Sequence, residues 1–198
     1  MALTDVKICN LALLHAGSTK FIDALTEQSD EAEVCSLSYE QARDFVLEDY
    51  PWPFATRYAA LGLVEATPND DWDFSYRYPS DCVFARRLVS ALGRRDPNPP
   101  PFRIGSDDTA RLIYSNQEDA VLEYTMRVVD PILFTSKFGE AVSWYLAGLI
   151  APGLSKNLKF ANSMFQMYDI VKNRAEAHSG NEQQQTPEPD SEFIRARD

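Results

Sequence analysis

Tyr50-Pro51-Trp52-Pro53-Phe54-Ala55 follows directly on a long amphipathic helical pattern and decides how the chain is laid out. Pro51 has no amide hydrogen, and its ring clashes with the carbonyl one turn back, so a helix cannot run through this point. Pro53 repeats the stop two residues later. Tyr50, Trp52 and Phe54 are thereby held on a stiff, nearly extended segment, as core anchors that close one helix and start the next element.

Upstream of this corner, Ser29 precedes Asp30-Glu31-Ala32-Glu33. That is a helix cap followed by acids in the first turn, where the helix dipole favours negative charge. Ala32, Cys35, Tyr39, Ala42 and Val46 then recur at helical spacing, which predicts one helix over 30–49 with Tyr39 as a further core anchor. A shorter helix is expected over 5–16. Thr4 caps it, Val6, Ile8, Leu11, Ala12 and His15 fall near one face, and Gly17 suits the position after its end. Between the two helices, Phe21, Ile22 and Leu25 are expected to tuck under the loop 18–29.

Downstream the character changes. Most of the chain's prolines lie between Pro51 and Pro101, among aromatic clusters. Trp72, Phe74, Tyr76 and Tyr78 alternate, so all four are expected on one face of a strand. Residues 82–92 suit a strand, with a short helical turn at 84–88 as the alternative, and Arg94 to Pro101 reads as an exposed loop. The runs 102–104, 111–114 and 120–126, separated by turn-rich spacers, predict an antiparallel meander. From Phe138 to Ile150 an i, i+3, i+4 stripe returns. Pro152-Gly153 is expected to break it, and Leu158, Ala161, Phe165, Tyr168, Val171 and Ala175 mark another helix. From Ser179 to Asp190 the chain is polar and expected to lack fixed structure, a tether ending in Phe193, Ile194, Arg195 and Arg197. The expected fold class is therefore α+β, mostly α. Residues 1–55 and 132–178 form a helical bundle, 56–131 a β-rich insert with a central antiparallel sheet or hairpin, and 179–198 a flexible tether.

The net charge of −11 over 198 residues is uneven. Residues 1–50 hold ten acids against Lys7, Lys20 and Arg43, whereas residues 51–100 carry six of each sign. This balance disfavours gripping nucleic acid through its phosphates, yet an acidic wall suits letting a polyanion slide past. Cys9, Cys35 and Cys82 are odd in number and set among apolar residues, so they read as reduced core thiols rather than a disulfide or zinc framework. No leader sequence or membrane span is visible, and a cytoplasmic, non-secreted chain is expected.

Readings as an enzyme find little chemistry. The eight glycines are scattered and make no phosphate-cradling loop. His15 and His178 are the two histidines, one on a core helix and one near a helix end, with no nucleophile placed beside them. Asn69-Asp70-Asp71-Trp72-Asp73 lacks the glycine and distant glutamate of a calcium loop. Asp30, Glu31 and Glu33 could supply the acid and base of a glycosidase, but a helix N-terminus accounts for them. Arg86-Arg87 and Arg94-Arg95 suggest a nucleic-acid module, against the simpler reading of a solvated loop or strand edge. The expectation is no catalytic, cofactor or metal residue and no enzyme.

Taken in order, the landmarks carry a resemblance. They are Ile8-Cys9-Asn10-Leu11-Ala12-Leu13 and Gly17; Ala32, Cys35, Tyr39, Arg43 and Leu47; Trp52, Phe54-Ala55 and Arg57. Then come Tyr76-Arg77-Tyr78-Pro79-Ser80-Asp81-Cys82, Tyr124-Thr125, Phe138, Ala141 and Leu146-Ala147. The series, over about residues 3–178, resembles the tail tubular protein A family of short-tailed bacteriophages, the head-to-tail adaptor. The resemblance implies a structural virion protein of the tail, made in the host cytoplasm, whose copies form a homo-oligomeric ring, a dodecamer, beneath the portal vertex. It implies the portal protein, the nozzle or tail tube protein and the tail fibres as partners. DNA only passes through the lumen, and no membrane is involved. Phe193, Ile194, Arg195 and Arg197 become the expected portal-docking residues. Some relatives are credited with peptidoglycan cleavage; no motif for it carries over here, and a tail-associated hydrolase stands as the alternative.

Overall fold

Thr4 and Ser29 start the first two helices as capping residues. The Lys7 amide donates to Thr4 Oγ1 and the Ala32 amide to Ser29 Oγ, each at 3.2 Å. Each bond satisfies a donor that a helix start leaves without a partner. In the computed structural model, which describes residues 3–90, 93, 96–155 and 158–182, helix α1 spans Asp5–His15 and α2 spans Asp30–Asp49. A 3₁₀ turn at Pro53–Ala55 leads into the strands β1 (Thr56–Ala60), β2 (Leu63–Asn69), β3 (Trp72–Arg77), β4 (Cys82–Val89), β5 (Phe102–Ser106), β6 (Arg111–Ser115) and β7 (Val121–Met126). A second 3₁₀ turn, Pro131–Leu133, precedes α3 (Ser136–Ser155) and α4 (Leu158–Glu182). The described chain is a mixed α+β protein with four helices and two antiparallel sheets.

The strands sort into sheets differently from the simple meander that their spacing suggests. β5 and β6 do form a hairpin, but β6 pairs on its other side with β3, giving the order β2-β3-β6-β5. β7 leaves that sheet and inserts between β1 and β4 in a three-stranded one. The reason is apolar burial on two faces that must meet. Tyr76 and Ile113 from the four-stranded sheet share one cluster with Ala85, Leu88, Leu122 and Tyr124 from the three-stranded sheet. The sheets therefore pack face to face, as sheets with one apolar side do. Phe74, Tyr76 and Tyr78 point into this cluster as the alternation predicts, while Trp72 is half-buried at the hairpin end. Residues 82–89 are strand, not a helical turn.

In the helical layer α3 packs against all three other helices. Trp52, just past the end of α2, meets Phe138 at the start of α3 edge-on at 5.1 Å, and Val34 near the start of α2 lies against Gly153 near the end of α3. α2 and α3 therefore run antiparallel. Leu3 lies against Gly139, and Gly17 faces Phe160, so α1 runs parallel to α3. Tyr39, Trp52, Phe138, Leu146 and Tyr168 share the main core.

Four local expectations are corrected here. α3 does not stop at Pro152 but continues to Ser155. The proline costs one hydrogen bond, in the last turn only, and burial of Ile150 and Ala151 holds that turn in place. α1 buries Ile8, Cys9, Ala12 and Leu13, a face rotated away from Leu11. In the loop 18–29, Ile22 is buried but Phe21 is exposed. α4 continues through Ser179–Glu182, the first residues of the expected tether.

Close approach fixes one glycine. A methyl built on Gly148 of α3 would fall 2.5 Å from the Phe165 ring of α4. Gly148→Ala is therefore expected to lower stability by about 1–3 kcal/mol, the usual cost of overpacking. Denaturant unfolding should show an earlier midpoint with an unchanged slope.

Candidate functional site

The C-terminal end of α2 is where the helical layer and the sheets are joined. Pro51 forbids further turns, so the last carbonyls of α2 find no amide partners within the helix. Side chains from outside take their place. Trp52 Nε1–H donates to the Val46 carbonyl at 2.7 Å. Arg86, from β4, donates through one terminal nitrogen to the carbonyls of Leu47 (3.2 Å) and Glu48 (2.6 Å), and through Nε to Thr125 Oγ1 of β7. Its guanidinium also lies over the Phe84 ring at 4.4 Å. Burial lowers the pKa of Arg86, and the nearby Glu48 and Asp49 work in the opposite sense.

Arg86 and Arg87 thus lie on an edge strand, one of the two simple readings of the pair, but both are half-buried and bonded rather than solvated. Arg86 is a latch between sheet and helix, and Arg87 pairs with Glu123 of β7 at 2.6 Å. The sequence hides the latch because its acceptors are backbone carbonyls 38 and 39 residues away. Arg94 and Arg95 lie outside the described residues, as do Phe193, Ile194, Arg195 and Arg197.

Further polar bonds tie the same end together. Asp49 accepts from the Tyr168 hydroxyl (2.6 Å) and from Lys172 Nζ (2.7 Å), which brings in α4. Partial burial raises the pKa of Asp49, but the bonds from Lys172 and Tyr168 outweigh it and hold the carboxyl below its ordinary value. The bond to Asp49 raises the pKa of Lys172. Asp44 pairs with Arg43 at 2.8 Å and with Arg127, beyond β7, at 2.9 Å. Midway along α2 the Tyr39 hydroxyl donates to Asp5 Oδ1 of α1 at 2.7 Å.

The three expected core anchors fall where burial requires. Trp52 and Tyr39 are buried, and Phe54 is half-buried against Phe134 and Phe138. Cys9, Cys35 and Cys82 are buried free thiols. His15 stacks on Trp144 with ring centroids 3.6 Å apart, and burial lowers its pKa. His178 lies within α4.

The acids weighed as catalytic or metal groups are dispersed. Glu31 is buried and faces Lys20 at 3.6 Å. Glu33 and Asp30 are exposed and line a different groove with Leu25 and Leu37. Asn69 Oδ1 caps the β2–β3 turn by accepting from the amides of Asp71 and Trp72. Among the described residues, no group of three or more His, Cys, Asp or Glu is placed to hold a metal ion.

Two surface features escaped the sequence reading. A cleft of about 520 Å³ is lined by Arg77, Tyr78, Arg111 and Arg127, with the Arg111 guanidinium 4.1 Å from the centre of the Tyr78 ring. Immediately after Arg127, the turn over Pro131–Leu133 leaves Val129, Ile132 and Leu133 exposed. Neither has a motif, because the arginines are separated by strands and the apolar residues resemble any buried run.

Two outcomes are expected from the latch. Arg86→Met should cost about 1–3 kcal/mol in denaturant unfolding, because the carbonyls of Leu47 and Glu48 lose their partner; Arg86→Lys should recover little of it. The Asp49 bonds stabilise the fold above the unfolded carboxylate pKa of about 4 and are lost as pH falls through the lower folded value. The Lys172 side of the pair persists up to the unfolded value of about 10.4 and is lost as pH rises through the higher folded one. Asp49→Asn should therefore be less stable than the parent chain at neutral pH, with the gap narrowing on acidification below about pH 4. Urea unfolding at both pH values measures the gap.

Compared with models of known protein families and with curated proteins, the chain matches none.

Proposed function

We propose that this chain is a structural virion protein, the head-to-tail adaptor of a short-tailed bacteriophage. Its copies form a ring between the portal and the nozzle or tail tube. In this reading α1–α4 act as the adaptor's bundle, and the two packed sheets form an arm reaching toward the next tail component or the fibres. The observation that carries the reading is the ordered series of landmarks from Ile8 to Ala147. Two of its members, Trp52 and Phe138, are the residues that pack the end of α2 on the start of α3.

Charge distribution supports the same reading. An acidic protein that lines a DNA passage repels the polyanion, which favours sliding over adhesion. The chemistry asked of the protein is then geometry: one patch on each copy meets a different patch on the next, and the contact closes when the rotation fits. The tether carrying Phe193, Ile194, Arg195 and Arg197 is proposed to reach the portal.

Mixing the purified chain with portal protein is expected to give portal-bound rings by native mass spectrometry. Removing residues 183–198, which spares α4, should weaken that capture at least about tenfold. Undiminished capture would refute the role of the tether, and no capture by the full chain would refute the adaptor reading.

A further inference from the structure

Two surfaces of matching chemistry lie at opposite ends of the helical layer. The first is the turn after β7. Val129 is 58% exposed, Ile132 73% and Leu133 56%. The turn is stiff: the Ile132 amide donates to Asp130 Oδ1 at 3.0 Å, and the Phe134 amide donates to the Pro131 carbonyl at 3.1 Å. Phe134 below it is buried against Phe54 and Phe138. An apolar protrusion held this rigidly loses little freedom when it is covered.

The arginine cleft adjoins this turn, since Arg127 lines it two residues before Val129. Its lining holds three arginines and no acid, and the acids beyond the lining make local bonds while keeping their charge. Asp44 binds Arg43 and Arg127, Asp81 accepts from the Tyr124 hydroxyl, and Asp107 accepts from Thr109 and the Ala110 amide. Asp130 is turned back onto its own turn. The surface is thus an apolar knob beside a basic cleft, on a chain of net charge −11.

The second surface is a groove of about 570 Å³ at the start of α2. Asp30, Glu33 and Leu37 stand at i, i+3 and i+7 and so share one face of the helix. Leu37 is 81% exposed, and Leu25 lines the opposite wall. Glu27, also in the groove, accepts from the Ser29 hydroxyl and the Asp23 amide, which hold its carboxyl below the ordinary value and so charged, and Asp30 and Glu33 add two exposed acids. Because α2 and α3 are antiparallel, this groove and the knob at the start of α3 are separated by roughly the length of a 20-residue helix, about 30 Å.

We propose that these surfaces are the two halves of one head-to-tail contact between copies of this chain. The Val129–Leu133 turn of one copy seats on Leu25 and Leu37 of the next, and the Arg77, Arg111 and Arg127 cleft faces its Asp30 and Glu33. Charge decides in favour of a second copy as the occupant. Two chains of this net charge repel overall, so they can meet only where a local basic surface opposes a local acidic one, and the chain carries both. The contact joins unlike surfaces: a copy joined through its knob keeps its groove free, which builds a ring or an open chain, whereas a closed antiparallel pair using both contacts at once would stop at two. The inference deepens the adaptor reading by naming the contact between its subunits.

The test uses the full chain and two substitutions at exposed positions, Ile132→Asp and Leu37→Asp, with circular dichroism verifying that each folds. Sedimentation velocity of the parent chain should show species growing with concentration. Each variant alone should weaken association about tenfold or more, because an apolar hot spot is replaced by a charge. Mixed together, the two variants should give a 1:1 dimer and nothing larger, since one retains a sound groove and the other a sound knob. A parent chain that stays monomeric at every concentration overturns the proposal, as does parent assembly that both variants leave unchanged, or a mixture that forms no dimer. Portal capture separates the two ideas: Ile132→Asp rings that form normally on portal sink this contact alone, and intact head-to-tail dimers that never bind portal sink the adaptor reading alone.

Discussion

A helix that must end leaves carbonyls without donors, and the structure is organised around satisfying those of α2. Pro51 sets the end, so the shortage falls at Val46, Leu47 and Glu48. Trp52 supplies a donor from the corner itself, and Arg86 supplies one from the sheets. Each donor brings a large apolar body with it. Trp52 fills the space against Phe138, while Arg86 lies over Phe84. One backbone requirement thus ties α2 to α3 and to β4, and through Thr125 to β7.

Around this junction the ionic groups are spent locally. Asp49 engages α4, and Asp44 is shared between Arg43 and the chain beyond β7. Exposed ion pairs contribute little to stability one by one, but these sit where three elements meet and specify which surfaces face each other. The charges that remain outward are therefore informative. They include the acids at the start of α2, beside exposed Leu37, and the arginines of the cleft, whose Arg127 leads into exposed Val129, Ile132 and Leu133.

Such an arrangement suits a protein whose work is to be placed among others. Under the proposed reading, a helical layer with unlike ends transmits position from one copy to the next. Packed sheets joined to one of those ends can vary their loops without disturbing the layer that holds them. Under the adaptor reading, the acidic excess of residues 1–50 serves a second purpose, discouraging DNA from sticking to the passage.

Local rules made much of this readable in advance. The bounds of α2 follow from Ser29 at one end and Pro51 at the other, because caps and prolines act within a few residues. The aromatic alternation from Trp72 to Tyr78 placed Phe74, Tyr76 and Tyr78 on the buried face, because the period of a strand is a property of the backbone, while Trp72 at the hairpin end stays outside that cluster. Pairing over distance was not readable. Whether β7 lies beside β6 or between β1 and β4 depends on which apolar faces can be buried together, and no short-range signal encodes that choice. Pro152 did not end α3, because packing of Ile150 and Ala151 outweighed a local preference. Arg86 reads as a residue of a loop or strand edge, and its role as a latch stays hidden, since backbone carbonyls carry no mark in a sequence. The knob, the groove and the arginine cleft likewise consist of ordinary residues, and they become surfaces only when the antiparallel packing of α2 and α3 sends the groove to one end and the knob to the other. The sequence by itself determined where the chain turns and which residues seek burial; tertiary structure alone decided which of them failed to find it, because burial is settled by neighbours distant along the chain.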